Sequence, residues 1–549
     1  MGNIKRGYMI KKLFNLCDIS VQGIIIKQII CLIYMVIYTV LSIIFPSFIG
    51  KIIDSGIETQ SEYLLISVME MLLVGIFMVI FQYLQNIGFY KLGQIIIVKI
   101  KDCVYKKIFS VNLHFHQEHK KGDLFTIIQS DISAIEQLIT STISSLLVNI
   151  FMTIGILFYI FNQDILIGII TLGLTLSLMI VQKKVGKIIE DNMGKLRYKI
   201  GDFSAFIMET LSNIINIQLT GREQFVQEKF SSNNKNVSKQ SINQMKLISY
   251  SGIIGLVFNV VGMTVVLGIG ALRVNSGKIS IGVLFNLLIY IQRVYGPILI
   301  VCNSYVSIKN IKPNIKKIIE VLENEETIIQ GNYFLKGDVN GDIEFKNVSF
   351  AYGAKKIFNN LNIHIKPHDI VAIVGKNGSG KSTLTYMLGK ICKPQSGSIL
   401  LDGIHIDEYN VTYLRSQVGF MPQNSLILSG TLRECLVPPD KIISDNELCD
   451  YMKMFDIKVN KFTEGLNTKL NENHQNLSGG EAQKLALIRL LLEEKPIYIL
   501  DEPTSALDLE AENEICGIIQ KFFSGHTVII ITHRKRIREI CTKTIELNV

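Results

Sequence analysis

Six apolar stretches, each long enough at about 20 residues to cross a bilayer, fill the first three-fifths of this 549-residue chain. They lie near Ile24–Ile49, Leu64–Phe89, Leu138–Phe161, Ile165–Val185, Leu247–Leu272 and Ile281–Val306. Lipid offers backbone N–H and C=O groups no partner, so continuous runs of this length are read as membrane-spanning helices. With the N-terminus inside, the basic segments Lys91 to Lys121, Lys183 to Lys187 and Lys309 to Lys317 all fall on the cytoplasmic side. Lys51, Arg273 and Lys278 are the minor exceptions, and both termini are cytoplasmic. Lys5, Arg6, Lys11 and Lys12 precede the first run without a small-residue cleavage site after it, so it is expected to be retained as a helix. The formal net charge of +9 does not mark a nucleic-acid binder, because the Lys and Arg residues flank apolar runs rather than interleaving with surface aromatics. Nine cysteines without a CxxC pair indicate neither a metal nor a disulfide framework.

The cytoplasmic connections, from about Lys91 to Ile135 and from Lys187 to Met245, are long yet keep helical apolar spacing. They are expected to be spans continuing into the cytosol, with turn-like breaks at His116–Gly122 and Ser212–Gly221 where short elements could touch a soluble domain. Polar residues within the spans, Glu70, Asn149, Asn259, Asn286, Gln292, Arg293 and Asn303, must face protein or water. Some should line a cavity and others should hydrogen-bond between helices. Pro297 in the last span is expected to produce a kink.

From about Gly341 the pattern changes to short β-type runs separated by Gly, Asn and Asp turns, after a linker around Asn324–Lys336. The run Ile370–Val374 leads directly into Gly375-Lys376-Asn377-Gly378-Ser379-Gly380-Lys381-Ser382-Thr383, the G-x-x-x-x-G-K-[ST] phosphate-binding loop. Its glycines let backbone N–H groups turn toward phosphate oxygens, Lys381 adds a charge at the β- and γ-phosphates, and the Ser382 hydroxyl can coordinate Mg²⁺. A second apolar strand, Ile497–Leu500, ends in Asp501-Glu502, two carboxylates at the end of a strand where an α/β sheet binds ligands. Asp501 would hold Mg²⁺ and Glu502 would polarise the water that attacks the γ-phosphate. His533, after the strand Thr527–Ile531, could contact the γ-phosphate. Ser478 and two glycines, Gly479 and Gly480, open a helix and make an anion-binding N-terminus.

Leu477-Ser478-Gly479-Gly480-Glu481 resembles the signature motif of ABC transporter ATPases, and the other motifs fall in that family's order. The resemblance implies that Tyr352 stacks on adenine and that Ser505-Ala506-Leu507-Asp508 is the D-loop. It also implies that Gln423, in Met421-Pro422-Gln423, is the Q-loop glutamine, serving both the metal and the chemistry. His114-Phe115-His116 through Gly122-Asp123-Leu124, and Gly221-Arg222-Glu223, resemble the segments flanking the two coupling elements of the exporter class. Asn471-Glu472-Asn473-His474 departs from a family loop usually richer in glycine, with Glu472 retained.

The expected architecture is a multidomain membrane protein. A cytoplasmic segment over 1–21 precedes a six-helix all-α transmembrane domain with long cytosolic extensions over 22–320. A linker over 321–340 and an α/β P-loop ATPase domain of ABC type over 341–549 follow. The resemblance implies an ATPase, using ATP and Mg²⁺, that drives export across the cell membrane of a bacterium by alternating access. The chain would act as a homodimer, with a heterodimer as the alternative, in contact with membrane lipid and a transported substrate. An Ile-, Asn- and Lys-rich composition like that of low-GC bacteria favours a hydrophobic or amphipathic peptide as cargo over a lipid or a drug. An ATP-gated channel or sensor is the remaining alternative. Only about 20 residues precede the first span, so any leader cleavage is expected from a separate enzyme.

Overall fold

The structure is a computed structural model that describes residues 9–547 except 10, 20, 58–60, 120, 325–326, 336, 354, 424–429, 440, 463 and 471–476. The atypical loop at Asn471–His474 lies outside the described residues. Two compact units are present, one comprising residues 1–109 and 121–324 and the other residues 110–120 and 325–549.

The first unit is helical. Helices α1 (Val21–Ile44) and α2 (Ser47–Ile57) form the first span, broken at Phe45-Pro46 because proline lacks the N–H that would continue the ladder. Helix α3 (Ser61–Ser110) then runs for 50 residues, and at 1.5 Å per residue it is far longer than a bilayer core of about 30 Å. A short α4 (Leu113–Glu118) follows, then α5 (Lys121–Thr126), α6 (Ile132–Gln137) and α7 (Ile143–Gln163), joined by π-helical turns at Ile127–Asp131 and Leu138–Thr142. Helices α8 (Ile165–Ser212) and α10 (Glu223–Asn275) flank the short α9 (Ile214–Leu219); α11 (Ile281–Asn310) and α12 (Lys312–Leu322) complete the unit. Six helical segments among the described residues are long and apolar enough to cross a membrane.

Helix α11 supplies the centre of the bundle. Its Tyr290, Ile291, Val294 and Ile298 pack with Ile156 and Ile160 of α7, Ile167 and Leu178 of α8, and Val266 of α10. It remains helical through Pro297. Close backbone approach relies on small residues, as expected where lipid supplies no hydrophobic driving force between helices. A Cβ on Gly282 would meet the Gly50 carbonyl at 2.2 Å. Polar groups close the remaining gaps: Asp54 accepts hydrogen bonds from Ser280 Oγ at 2.6 Å and Gly282 N at 2.8 Å, capping α11. Arg273, an exception to the basic-inside pattern, pairs with Asp164 at 3.0 Å.

Asn286 is 3% exposed and accepts a hydrogen bond from the Gly50 N–H at 2.9 Å, a donor in the first turn of α2 with no intrahelical partner. Asn286→Ala leaves that donor unpaired in an apolar bundle, at a cost of about 1–3 kcal/mol. The expected result is a lower heat-unfolding midpoint in lipid nanodiscs with unchanged ATPase activity per folded molecule.

The second unit is built on two sheets. An antiparallel sheet has the order β2-β1-β4-β5, with β1 Ile343–Tyr352, β2 Lys355–Ile365, β4 Ser396–Leu401 and β5 Ile404–His405. A parallel sheet has the order β11-β3-β10-β9-β6, with β3 Ile370–Val374, β6 Val418–Met421, β9 Ile497–Asp501, β10 Thr527–Ile531 and β11 Lys543–Glu546. Every residue of β3, β9 and β10 is buried, which is why those strands read as unbroken apolar runs rather than alternating ones.

Residues 110–120 belong to this unit although helix α3 leads into them. Val111 bridges Thr327, Leu113 N donates to Ile391 O at 3.0 Å, and Phe115 of α4 is 1% exposed. The turn-like break expected at His116–Gly122 begins in the end of α4, which packs within this unit, while that expected at Ser212–Gly221 contains α9. Part of the segment expected as a linker is tied down as well, with Tyr333 bridging Tyr409.

Candidate nucleotide site

The carboxyl ends of four adjacent parallel strands converge. The loop after β3 carries Gly375–Gly380, β9 ends in Asp501 with Glu502 next, His533 follows β10, and Gln423 follows β6. Helix α13 (Lys381–Leu388) starts directly from the loop, capped by Gly380 at φ +92. That left-handed conformation strains any residue with a Cβ, and a Cβ there would also meet Phe358 at 2.6 Å. A short helix N-terminus thus presents its unpaired first-turn N–H groups next to the strand ends.

These elements enclose a cavity of about 490 Å³, lined by Tyr352, Asn377, Gly378, Gly380, Lys381, Ser382, Thr383, Gln423, Asp501 and Glu502. Lys381 Nζ donates to the carbonyls of Gly375 at 2.7 Å and Lys376 at 3.2 Å. Ser382 Oγ donates to Asp501 Oδ2 at 3.0 Å. Burial pushes the Asp501 carboxyl above its ordinary value; the Ser382 hydrogen bond and Lys381 pull the other way, and Glu502 adds to the rise. A buried carboxyl beside a hydroxyl is a donor set that suits a hard divalent cation, whose charge would hold the carboxyl ionised. Ser379 Oγ is buried without a hydrogen-bond partner in the loop, an orphaned donor of the kind that a phosphate oxygen satisfies.

Glu502 sits at φ +50, with its N–H donating to Ile531 O at 2.9 Å. Gln423 Nε2 donates to one carboxylate oxygen at 3.0 Å and His533 Nε2 stands 4.0 Å from the other. Tyr352, at the end of β1, shares a hydrogen bond with Thr383 Oγ1 at 3.3 Å.

Ser478, Gly479 and Gly480 do not line this cavity. They open the 15-residue helix α17 (Gly479–Glu493), where Ser478 Oγ accepts from Glu481 N at 3.2 Å. Glu481 returns the bond to Ser478 N at 2.8 Å, completing a capping box. Burial works against the Glu481 charge, but Lys461 and the Ser478 groups together hold its carboxyl below the usual range.

Several contacts were not legible in the motifs. Gln483, 4% exposed on α17, donates to Ser505 Oγ at 2.7 Å and accepts from Ala506 N at 3.1 Å, tying that helix to the segment after Glu502. Arg534 Nη2 donates to the carbonyls of Ser505 and Leu507, both at 3.1 Å. Lys355 also lines the cavity; burial raises the pKa of the Tyr352 hydroxyl, and Gln117 of α4 lies close enough to it to offset part of that rise. The only sequence signal for Gln483 is its place on the face that α17 buries; the Gln117 contact joins positions 235 apart and had none.

Two family profiles match the chain: "ABC transporter transmembrane region" over residues 28–298 and "ABC transporter" over residues 358–505. An ATP-dependent lipid A-core flippase of Syntrophus aciditrophicus is 25% identical over 82% of this chain and 76% of its own length. A leukotoxin translocation ATP-binding protein of Mannheimia glucosida is 34% identical over 50% of this chain and 39% of its own. The solved structure of a bacterial Atm1-family ABC exporter with ATP bound superposes with a TM-score of 0.80 at 20% identity, covering 95% of this chain and 93% of that one.

Proposed function

Because the chain belongs to the ABC transporter family, as an exporter-type half-transporter with membrane region and ATPase fused, we propose that two copies assemble and hydrolyse ATP at two shared sites to export an amphipathic peptide. The chain is an ATPase coupled to transport and a multi-pass membrane protein. The observation that carries the dimer is the separation of Ser478–Gly480 from the cavity that gathers the other nucleotide residues. A second copy supplies that helix N-terminus to the far side of the nucleotide, and twofold symmetry makes both sites at once. Apolar side chains on α9 support the assembly: Ile215 is 67% exposed and Leu219 80%, on a segment expected beyond the bilayer.

Within each site the loop N–H groups and Lys381 hold the phosphates, Tyr352 offers its ring to the base, and Ser382, Asp501 and Gln423 would hold Mg²⁺. When bound, the cation would supply positive charge that offsets the negative charge developing on the phosphate oxygens. Glu502 accepts the proton of the attacking water while Gln423 holds one oxygen of its carboxylate and His533 stands beside the other. Closure of the two ATPase units on ATP shifts the membrane helices from inward- to outward-facing through α4 and α9, and hydrolysis resets them.

Uptake of a labelled amphipathic peptide into proteoliposomes whose ATPase units face outward tests this reading. ATP-dependent accumulation, lost in Glu502→Gln, is expected. ATP-driven lipid movement without peptide uptake would instead favour the lipid cargo named for the flippase relative, and uncoupled ion current would favour a channel.

A further inference from the structure

The membrane unit holds a cavity of about 700 Å³ that the nucleotide chemistry does not use. It lies between α1, α3 and the segment from α6 into α7, and carries the carboxamides of Gln82, Gln85, Asn86, Gln137 and Asn149. Hydroxyls fill the gaps between them; among the described residues Glu136 is the one carboxylic acid on the wall and no Lys or Arg lines it, and the Gln94 amide donates to Glu136.

Three observations set this place apart from ordinary polar packing between helices. Gln85 is 5% exposed, yet its Oε1 has no hydrogen-bond partner. An unpaired buried acceptor is destabilising, a cost that a ligand donor would offset. The π-helical turn Leu138–Thr142 contributes Thr140 and Ser141 to the wall, and such turns concentrate at functional sites. Gly93 lets α3 come so close to this turn that a Cβ would meet Thr140 Cγ2 at 2.2 Å, bringing the two walls together.

We propose that this cavity is a cargo subsite for an uncharged stretch of peptide, with Gln85 Oε1 accepting a hydrogen bond from a peptide N–H. The inference rests on the peptide-export reading and deepens it. Carboxamides donate and accept in the same pairing as a peptide group. A phosphorylated lipid headgroup would need the cationic partners that the wall lacks.

The test uses the full chain in phosphatidylcholine nanodiscs and an eight-residue peptide of Ala, Asn and Leu with both termini blocked. ATPase stimulation is titrated for the parent, Gln85→Leu and Asn149→Leu, with basal ATPase and monodispersity as folding controls. The expected result is a tenfold or greater rise in the half-stimulating concentration for Gln85→Leu, a smaller rise for Asn149→Leu, and unchanged basal activity in both. Equal stimulation of the parent and both folded variants overturns the subsite, as does a parent that hydrolyses ATP but ignores the peptide while dodecyl maltoside stimulates it through Gln85. Both results leave the exporter reading intact. Absence of Glu502-dependent ATPase in the parent would instead overturn that reading and the subsite with it.

Discussion

Glu502→Gln is expected to bind ATP as the parent does and to lose at least a hundredfold of its turnover. The substitution keeps the size of the side chain and leaves the backbone anchor, the Glu502 N–H to Ile531 O at 2.9 Å, untouched. It removes the carboxylate that faces the cavity between Gln423 at 3.0 Å and His533 at 4.0 Å. General-base assistance contributes about 10²–10⁴-fold, and an amide cannot take a proton from water at neutral pH. Steady-state phosphate release with parallel equilibrium binding of ATP separates the two quantities. Full turnover in this variant would remove Glu502 from the role of base.

Lys381→Ala acts one step earlier. The ammonium begins α13 and is held over the loop by the Gly375 and Lys376 carbonyls, poised to trade those contacts for phosphate oxygens. Hydrogen bonds to charged groups contribute about 1.5–3 kcal/mol, and each 1.4 kcal/mol is about tenfold in affinity. The dissociation constant for ATP should rise about ten- to a hundredfold, measured by calorimetry, with the unfolding midpoint little changed. An unaltered ATP affinity would mean that the backbone N–H groups hold the phosphates without the lysine.

These two residues were legible in the sequence because their chemistry is local: a glycine-rich turn between an apolar strand and a helix, and two acids at a strand's end. The six spans were legible for the same reason, since lipid dictates both their length and their apolarity. What escaped is what the chain brings together from a distance. Gln483 reaches Ser505 and Ala506 across 22 and 23 residues, and Gln117 reaches Tyr352 only because residues 110–120 pack with the soluble unit. The polar span residues show the same limit. Periodicity marks Asn286 and Asn149 alike, yet Asn286 caps the first turn of α2 and Asn149 lines a cavity. Glu70, the acid deepest in a span, lies exposed on α3.

The most direct test of the central claim, that this chain alone forms a dimer with two working ATP sites, is the Mg-ATPase activity of the purified chain in lipid nanodiscs, with Glu502→Gln as the control for contaminating enzymes. The account predicts robust hydrolysis in particles holding two copies, abolished by the substitution. Folded protein without activity, or activity that survives Glu502→Gln, would contradict it.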